Sequence, residues 1–323
     1  MELHEVKTLM ESIRNNMNKL IVGKEKVIDL ILVSLFCSGH VLLDDVPGVG
    51  KTLLCKCLAN SILCDFRRVQ FTPDLLPSDL IGINYFNQKH FDFMFKKGPV
   101  FTNILLADEI NRATPRTQSS LLECMEEKQV TIDGETKKLG KLFFVIATEN
   151  PVESHGTFPL PEAQLDRFFM KLRMGYPDLQ EERGILDRFQ NKKDEPKITN
   201  ICNADSIIEA QDSLDLVEVS SDIKNYIVSI IDRTRNHEKV LLGVSPRGTL
   251  ALMKASKVMA VLNGRDYVIP DDVKYVAAPV LTHRMILKKT LIACSKTSEE
   301  EDVISDILKS VPVPLENNSN LKI

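Results

Sequence analysis

The sequence predicts an α/β protein: a three-layer α/β/α domain on a parallel sheet, followed by an all-helical domain. Three observations predict it. Short apolar strands alternate with helical stretches through the first half, the pattern of a sheet covered on both faces. A glycine-rich loop, in LLDDVPGVGKTLL at 42–54, joins one such strand to a helix. After Tyr176-Pro177 the strands give out and helical periodicity takes over. The expected division is 1–177 for the α/β domain, 178–312 for the helical domain and 313–323 for a loose polar tail. A chain of 323 residues exceeds what one core usually holds, so two domains are expected.

The N-terminal MELHEVKTLMESIRNN is charged and lacks the apolar core of a secretory signal. Leu30 to Leu43 reads as a buried helix, a stop at Gly39 and a buried strand; it is too short to span a bilayer. The glycine loop leads into a helix from Thr52 to Ser61. Strands follow at Arg68–Phe71, Ile104–Ala107, Leu142–Ala147 and Phe168–Met174, with a helix around Gln118–Glu127. Two inserts read as β-hairpins. One is 81–95, where Phe91, Phe93 and Phe95 alternate; the other is 129–139, with the tight-turn pair Asp133-Gly134. In the second half Ser245-Pro246 starts a helix closed by Gly264, with Ala251, Ala255, Val258 and Leu262 on one face. Pro270-Asp271-Asp272 starts another, its acids at the positive end of the helix dipole.

Composition narrows the function. With 43% hydrophobic and 27% charged residues, the chain is an ordinary soluble protein. A net charge of −4 and a pI near 5.9 argue against a nucleic-acid partner, whose binding face usually makes a domain basic. Seven cysteines, an odd number with no C-x-x-C pair, read as buried reduced thiols and fit the cytoplasm. No membrane insertion is expected.

The loop is a phosphate-binding pattern with one departure. The usual form is G-x-x-x-x-G-K-[ST], and Asp45 stands where its first glycine belongs. Pro47, Gly48, Val49 and Gly50 are the small, turning residues that let backbone N–H groups converge on an anion, and the stretch runs on through Leu53. Lys51 is placed to reach the outer phosphates and Thr52 to ligate Mg²⁺. The Lys51 charge is expected to offset the phosphates where Asp44 and Asp45 crowd them. A surface turn would use similar residues. Two further strand ends favour the nucleotide. ILLADE (104–109) ends in two carboxylates, Asp108 to hold Mg²⁺ through water and Glu109 to polarise the attacking water. FFVIATENP (143–151) ends at Asn150, which can orient that water. LPEAQLDRFF (160–169) carries Arg167, for which a plain salt bridge is the default reading.

Order and wording of these segments resemble the MoxR family of AAA+ ATPases. The likeness runs from IVGKEKVI (21–28) past SPRG (245–248), and is carried by LLDDVPGVGKT, FTPDLLPSDLIG, GPVFTNILLADEINRATPRTQSSLLECMEEKQVTIDG, ATENP, GTFPLPEAQLDRF and GVSPRG. The family often has an acid where Asp45 stands. The resemblance implies a P-loop (AAA+) core with a helical lid, and Mg²⁺-dependent ATP hydrolysis with ATP and Mg²⁺ as cofactors. It makes Val22 and Gly23 the adenine-side contact, Lys51 and Thr52 the Walker A residues, Asp108 and Glu109 Walker B, and Asn150 sensor 1. Arg167 becomes the arginine finger for a neighbouring subunit, and Arg247 becomes sensor 2. Glu149 departs from the commoner glutamine and adds a charge near the sensor. A homo-oligomeric ring, a hexamer, is implied, doing chaperone-like work on a partner with a von Willebrand factor A domain. The two hairpins are candidates for contact with that partner or with substrate.

Other readings compete. Asn191-Lys192-Lys193-Asp194 matches the guanine-reading N-K-x-D, but it follows a helical-looking ILDRFQ and no D-x-x-G follows a strand. A nucleic-acid motor could use Arg67-Arg68 and Lys137-Lys138, which otherwise read as solvated pairs. The magnesium-chelatase ATPase subunit is a near relative whose wording is more distant. A non-hydrolysing scaffold would not need both carboxylates of ILLADE.

Overall fold

The structure, a computed structural model, describes residues 1–150, 156–190, 197–288 and 296–314. It divides into two compact units, Met1–Ser213 and Leu214–Ile323. In chain order the first contains α1 (Leu3–Asn18), α2 (Glu25–Phe36), β1 (Val41–Asp44), α3 (Lys51–Ser61), β2 (Phe66–Gln70), α4 (Pro77–Ile81), β3 (Gly82–Asn87) and β4 (Asp92–Lys97). It continues with β5 (Ile104–Asp108), α5 (Pro115–Glu127), β6 (Gln129–Ile132), β7 (Glu135–Lys138), β8 (Phe144–Glu149), α6 (Glu162–Leu165), β9 (Met170–Leu172), α7 (Leu179–Gln190) and α8 (Ala204–Ser213). The unit runs further than the change of sequence character at 177 because α8 packs on α1 and α2. Buried Asn16 also ties the 197–203 segment down, donating to Thr199 O at 2.8 Å and to Ser61 Oγ at 2.9 Å.

Five parallel strands form the central sheet in the order β2-β5-β8-β1-β9. The three inner strands are continuous apolar runs because both faces are covered. Alternate residues divide between the layers. Leu42, Leu105, Ala107, Val145 and Ala147 pack with Leu121 and Leu122 of α5 and Leu80 of α4 in one buried cluster. The edge strand β2 is more exposed, and Arg67 and Arg68 can stand on it.

His40 closes the sheet where the strands begin. Val145 N donates to its Nδ1 at 3.0 Å, so Nδ1 carries no proton and Nε2 donates to Met125 O at 3.1 Å. The ring is buried between strand and helix with both nitrogens used. Burial pulls its pKa down to about 4.

Both expected hairpins are present. β3 pairs with β4, bringing Phe86 opposite Phe93. β6 and β7 join through Asp133 and Gly134 at φ 51° and 84°, the two left-handed positions of a tight I′ turn. Asn84 donates to Asp133 at 2.8 Å, tying one hairpin to the other.

The second unit holds α9 (Ser221–Arg235), β10 (Val240–Leu242), α10 (Pro246–Leu262), α11 (Pro270–Leu281), β11 (Ile286–Leu287) and α12 (Lys296–Ser310). Ala251, Ala255, Val258 and Leu262 are all buried, as the periodicity requires. Asp272 caps α11, accepting from Ile269 N at 3.0 Å while Arg265 grips it at 2.7 and 2.6 Å. Among its described residues the unit is helical apart from the isolated bridge Glu218–Tyr267 and the antiparallel pair β10–β11, whose strands are too short to leave an alternating pattern.

Six described cysteines are free thiols. Burial pushes Cys57 up to about 11 and Cys64 and Cys124 to about 12, so they stay protonated. Among the described residues, no helix is long and apolar enough to cross a membrane. Residues 191–194, Cys294 and 315–323 of the tail lie outside the described residues.

Candidate active site

β1, β8 and β5 are neighbours running the same way, so their C-terminal ends form one edge. That edge carries the glycine loop after β1, Asn150 after β8, and Asp108 and Glu109 at the end of β5. Sites in open α/β sheets form at this edge.

The loop takes its shape from Gly48 and Gly50, at φ 87° and 93°, a region that a side chain makes costly. A Cβ built on either glycine meets nothing within 4 Å, so backbone angle and not crowding demands glycine here. Pro47 and Gly48 are exposed on the open side. Lys51, buried at the first turn of α3, donates to Asp45 O at 2.9 Å, with Thr52 and Leu53 next on the helix.

Asp44 and Asp45 turn away from the loop, which corrects the expectation that they crowd the phosphates. Asp44 pairs with Lys171 at 3.1 Å and Arg173 at 3.2 Å. Asp45 accepts from the backbone N–H of Gly175 at 3.1 Å and from that of Met174. Both carboxylates are buried and spent on the exit of β9. The residue in place of the first glycine therefore locks the loop's base to the last strand. Glu149, opposite Asp44 in the sheet, is half-buried, and desolvation pushes its carboxyl up; Lys171 opposes the rise and Asp44 adds to it.

The second acid pair is held differently. Asp108 Oδ1 accepts from Thr148 Oγ1 at 2.7 Å, and Oδ2 accepts from Arg68 Nη2 at 2.5 Å and Nε at 3.1 Å. Glu109 sits at φ 57°, left-handed for a residue with a side chain, a strain typical of functional positions. Its N–H donates to Thr148 Oγ1 at 2.8 Å, and its Oε2 accepts from Gln70 Nε2 at 2.7 Å and Arg112 Nε at 2.9 Å. A guanidinium thus stands at Asp108 where a cation would be held. One carboxylate and the Thr52 hydroxyl, completed by water and phosphate oxygens, suit Mg²⁺.

The remaining expected residues fall in several places. Asn150 is buried. Gly23, at φ 68°, is pressed against α7 so closely that a Cβ would lie 1.8 Å from Glu181 Oε1. Its neighbour Lys24 bonds Glu181 and Tyr176 O, both at 3.1 Å. Val22 lies beside Gly184 of the same helix. The 174–176 segment therefore bridges Asp45 at the loop and the Val22–Gly23 turn. Arg167 is elsewhere. Phe169 N donates to His40 O at 2.7 Å, which puts Arg167 at the end where strands begin, across the sheet from Lys51 and Glu109. There it pairs with Glu126 at 3.3 Å beside a cleft of about 260 Å³. Arg247 is exposed in the first turn of α10, in the second unit.

Sequence reading missed Arg68, Gln70, Arg112 and Thr148. Arg68 is no solvated half of a basic pair. The only local signal was Thr148, a polar residue inside an apolar strand; Gln70 reaches the acids through its pairing with Asp108 in the sheet.

Residues 40–170 match the model of the ATPase family associated with various cellular activities (AAA), and residues 232–307 match that of the AAA lid domain. A crystal structure of a candidate ATPase from Cytophaga hutchinsonii is similar with a TM-score of 0.87 at 39% identity, covering 96% of each chain. The protein YeaC of Bacillus subtilis is 48% identical over 304 residues, 94% of either chain. Chaperone MoxR1 of Mycobacterium tuberculosis is 40% identical over 322 residues, 97% of this chain and 84% of its own. The chain belongs to the MoxR family of AAA+ ATPases.

Proposed function

We propose that the protein hydrolyses ATP with Mg²⁺ at boundaries between identical subunits, and uses the cycle to remodel or activate a partner protein. The observation that carries this reading is the division of charge across the sheet. Lys51, Asp108, Glu109 and Asn150 share one edge, and Arg167 lies at the other, where it serves no phosphate bound to its own loop.

Each residue then has a task. The backbone of 47–53 cradles the phosphates, with Lys51 turning from Asp45 O to the outer ones. Thr52 and Asp108 hold Mg²⁺, which supplies charge neutralisation on the phosphate oxygens when bound. Glu109 draws a proton from the attacking water, and Asn150 orients that water. Val22 and Gly23 meet the adenine, and Arg247 reaches the nucleotide from the lid. Arg167 leaves Glu126 to offset charge developing on the neighbour's γ-phosphate. A ring of subunits, a hexamer, supplies that neighbour.

A relative named chaperone supports the remodelling role. The β3–β4 hairpin suits partner contact. Phe86, Phe91 and Phe93 meet edge to face yet stay 48%, 83% and 70% exposed. A partner with a von Willebrand factor A domain is part of the proposal, as is a cytoplasmic location. Neither basic pair favours a nucleic-acid motor. Arg68 is engaged at Asp108, and Lys137 bonds Glu135 at 2.9 Å and lies over the Phe95 ring at 4.9 Å.

The test is complementation. Arg167→Ala and Lys51→Ala each hydrolyse ATP at least ~10³-fold more slowly than wild type, the range for a finger supplied in trans. Their mixture recovers activity because some interfaces join an intact loop to an intact arginine. If wild-type activity per subunit stays flat down to concentrations where sedimentation shows only monomer, the inter-subunit reading fails.

A further inference from the structure

From Gly156 to Arg167 the chain has one short helix, α6, and none of its four residues is buried. Leu160 is buried, Leu165 packs partly against the same core cluster, and Phe168 closes the stretch inside that cluster. Near the other end stands Phe158. Its ring is exposed, so packing does little to fix it; its backbone does the fixing. Phe158 N donates to Asn111 O at 2.6 Å, and Phe158 O accepts from Gln118 Nε2 at 2.8 Å.

Gln118 is fully buried near the start of α5, and its Nε2 also donates to Ile110 O at 3.2 Å. One amide group thus clamps Phe158 to the short 3₁₀ turn Ile110–Arg112, which begins directly after Glu109. Turned round, the amide would set its oxygen against two carbonyl oxygens, so its donating end is fixed here. The clamp leaves acceptors over. Gln118 Oε1, Asn111 Oδ1 and, on α6, Gln164 Oε1 are buried without a donor. Such atoms cost stability, and apolar side chains of the same shape would avoid the cost. A need for stability alone therefore does not account for a buried glutamine at this place.

α5 has 13 residues, a length of about 20 Å, and runs between the two ends of the sheet. Gln118 lies near one end of it, and Glu126, where Arg167 rests, near the other. We propose that Gln118 is a positioning residue for Arg167: by pinning Phe158 it fixes the start of the 158–167 stretch, and with it the reach of the arginine toward a neighbour's phosphate. This rests on reading Arg167 as acting between subunits. Without the clamp the stretch keeps its Phe168 end and loses the other, and a misplacement of about 1 Å at a reacting group costs up to ~100-fold in rate. The loss then falls on the nucleotide of the subunit next door, not on that of the subunit carrying the change.

Directional mixing tests this. Gln118→Met keeps the length of the side chain and removes its donors. Alone it binds ATP within about threefold of wild type and turns over about tenfold more slowly. Mixed in equal amounts with Lys51→Ala, whose arginine is well placed, it gives about five times the mean activity of the two proteins assayed apart, as random neighbours require for a tenfold impairment. Mixed with Arg167→Ala it gives no gain, because every arginine present is a misplaced one. Gln118→Asn keeps the amide but shortens its reach; it shows the same asymmetry at smaller size, and decides the matter if Gln118→Met does not bind ATP. Rescue by Arg167→Ala alone, equal rescue by both partners, rescue by neither, or unchanged turnover in both variants overturns the proposal. If Lys51→Ala and Arg167→Ala recover nothing when mixed with each other, the inter-subunit reading itself falls and takes this proposal with it.

Discussion

Two pairs of adjacent acids end two strands of one sheet, and the protein treats them in opposite ways. Asp44 and Asp45 are closed off. Their partners are Lys171, Arg173 and the backbone N–H groups of Met174 and Gly175, all at or just past β9. Asp108 and Glu109 are held chiefly by side chains that can let go: Arg68, Gln70 and Arg112, with Thr148 as the fixed member. The backbone donors on Asp45 cannot leave without unfolding something, and they fix the first pair although Asp44 is held by side chains. Long side chains alone can let go. Two carboxylates at a strand end are therefore no sign of a cation site by themselves; what decides is whether their partners are replaceable.

The largest test of this contrast is Glu109→Gln. The amide keeps the contact to Arg112 or to Gln70 but cannot draw a proton from water. ATP binding stays within about threefold of wild type while turnover falls at least ~100-fold, the lower range for a general base. Near-normal turnover, measured as phosphate release under saturating ATP, would remove the functional half of the contrast.

Asp45→Gly probes the structural half, and it does so by restoring the glycine of the usual loop pattern. Pattern matching predicts improvement. The geometry predicts loss, because two backbone donors at 174 and 175 lose their carboxylate, and unpaired buried donors cost about 1–3 kcal/mol each. The expected change is about 3 kcal/mol in urea unfolding. If the variant is as stable as wild type, Asp45 is not the lock described here and the first pair has no structural role to contrast.

These two pairs also mark how far the sequence could be read. The turn through Gly48 and Gly50 into Lys51 and Thr52 was legible because such a loop is local: four residues and their backbone angles specify its shape. The Asp133-Gly134 turn was legible for the same reason. The target of Asp45 lies at 174 and 175, and no periodicity links the two positions. Arg68 looked like half of a basic surface pair because its partner sits one strand away, brought near by the pairing of Gln70 with Asp108. Asp44 looked like a neighbour of the phosphates because its side-chain direction depends on β9. Residues whose roles are set by sheet register stay hidden until the strand order is known, whereas those set by a turn do not.

A smaller and more selective effect separates both acid pairs from acid sensitivity in general. Unfolding at low pH is commonly assigned to carboxylates that lose their partners, and this edge has four of them. His40, at the other end of the sheet, offers a different source. Its ordinary pKa near 6.5 falls to about 4 in the fold, because burial penalises the charged ring. Below pH 6.5 the unfolded chain takes up a proton that the folded chain refuses, so stability is lost as pH falls from 6.5 towards 4 and is regained as it rises. The loss attributable to this one ring is about 2 kcal/mol at pH 5 relative to pH 7.5. Gln at position 40 offers a donor and an acceptor but cannot charge. His40→Gln is expected to be less stable than wild type at pH 7.5, yet its stability should fall by about 2 kcal/mol less between pH 7.5 and pH 5 in urea melts. Equal losses for the two proteins would return the acid sensitivity to the carboxylates, and Asp45→Gly and Asp108→Asn measured over the same range would then show which of the two pairs carries it.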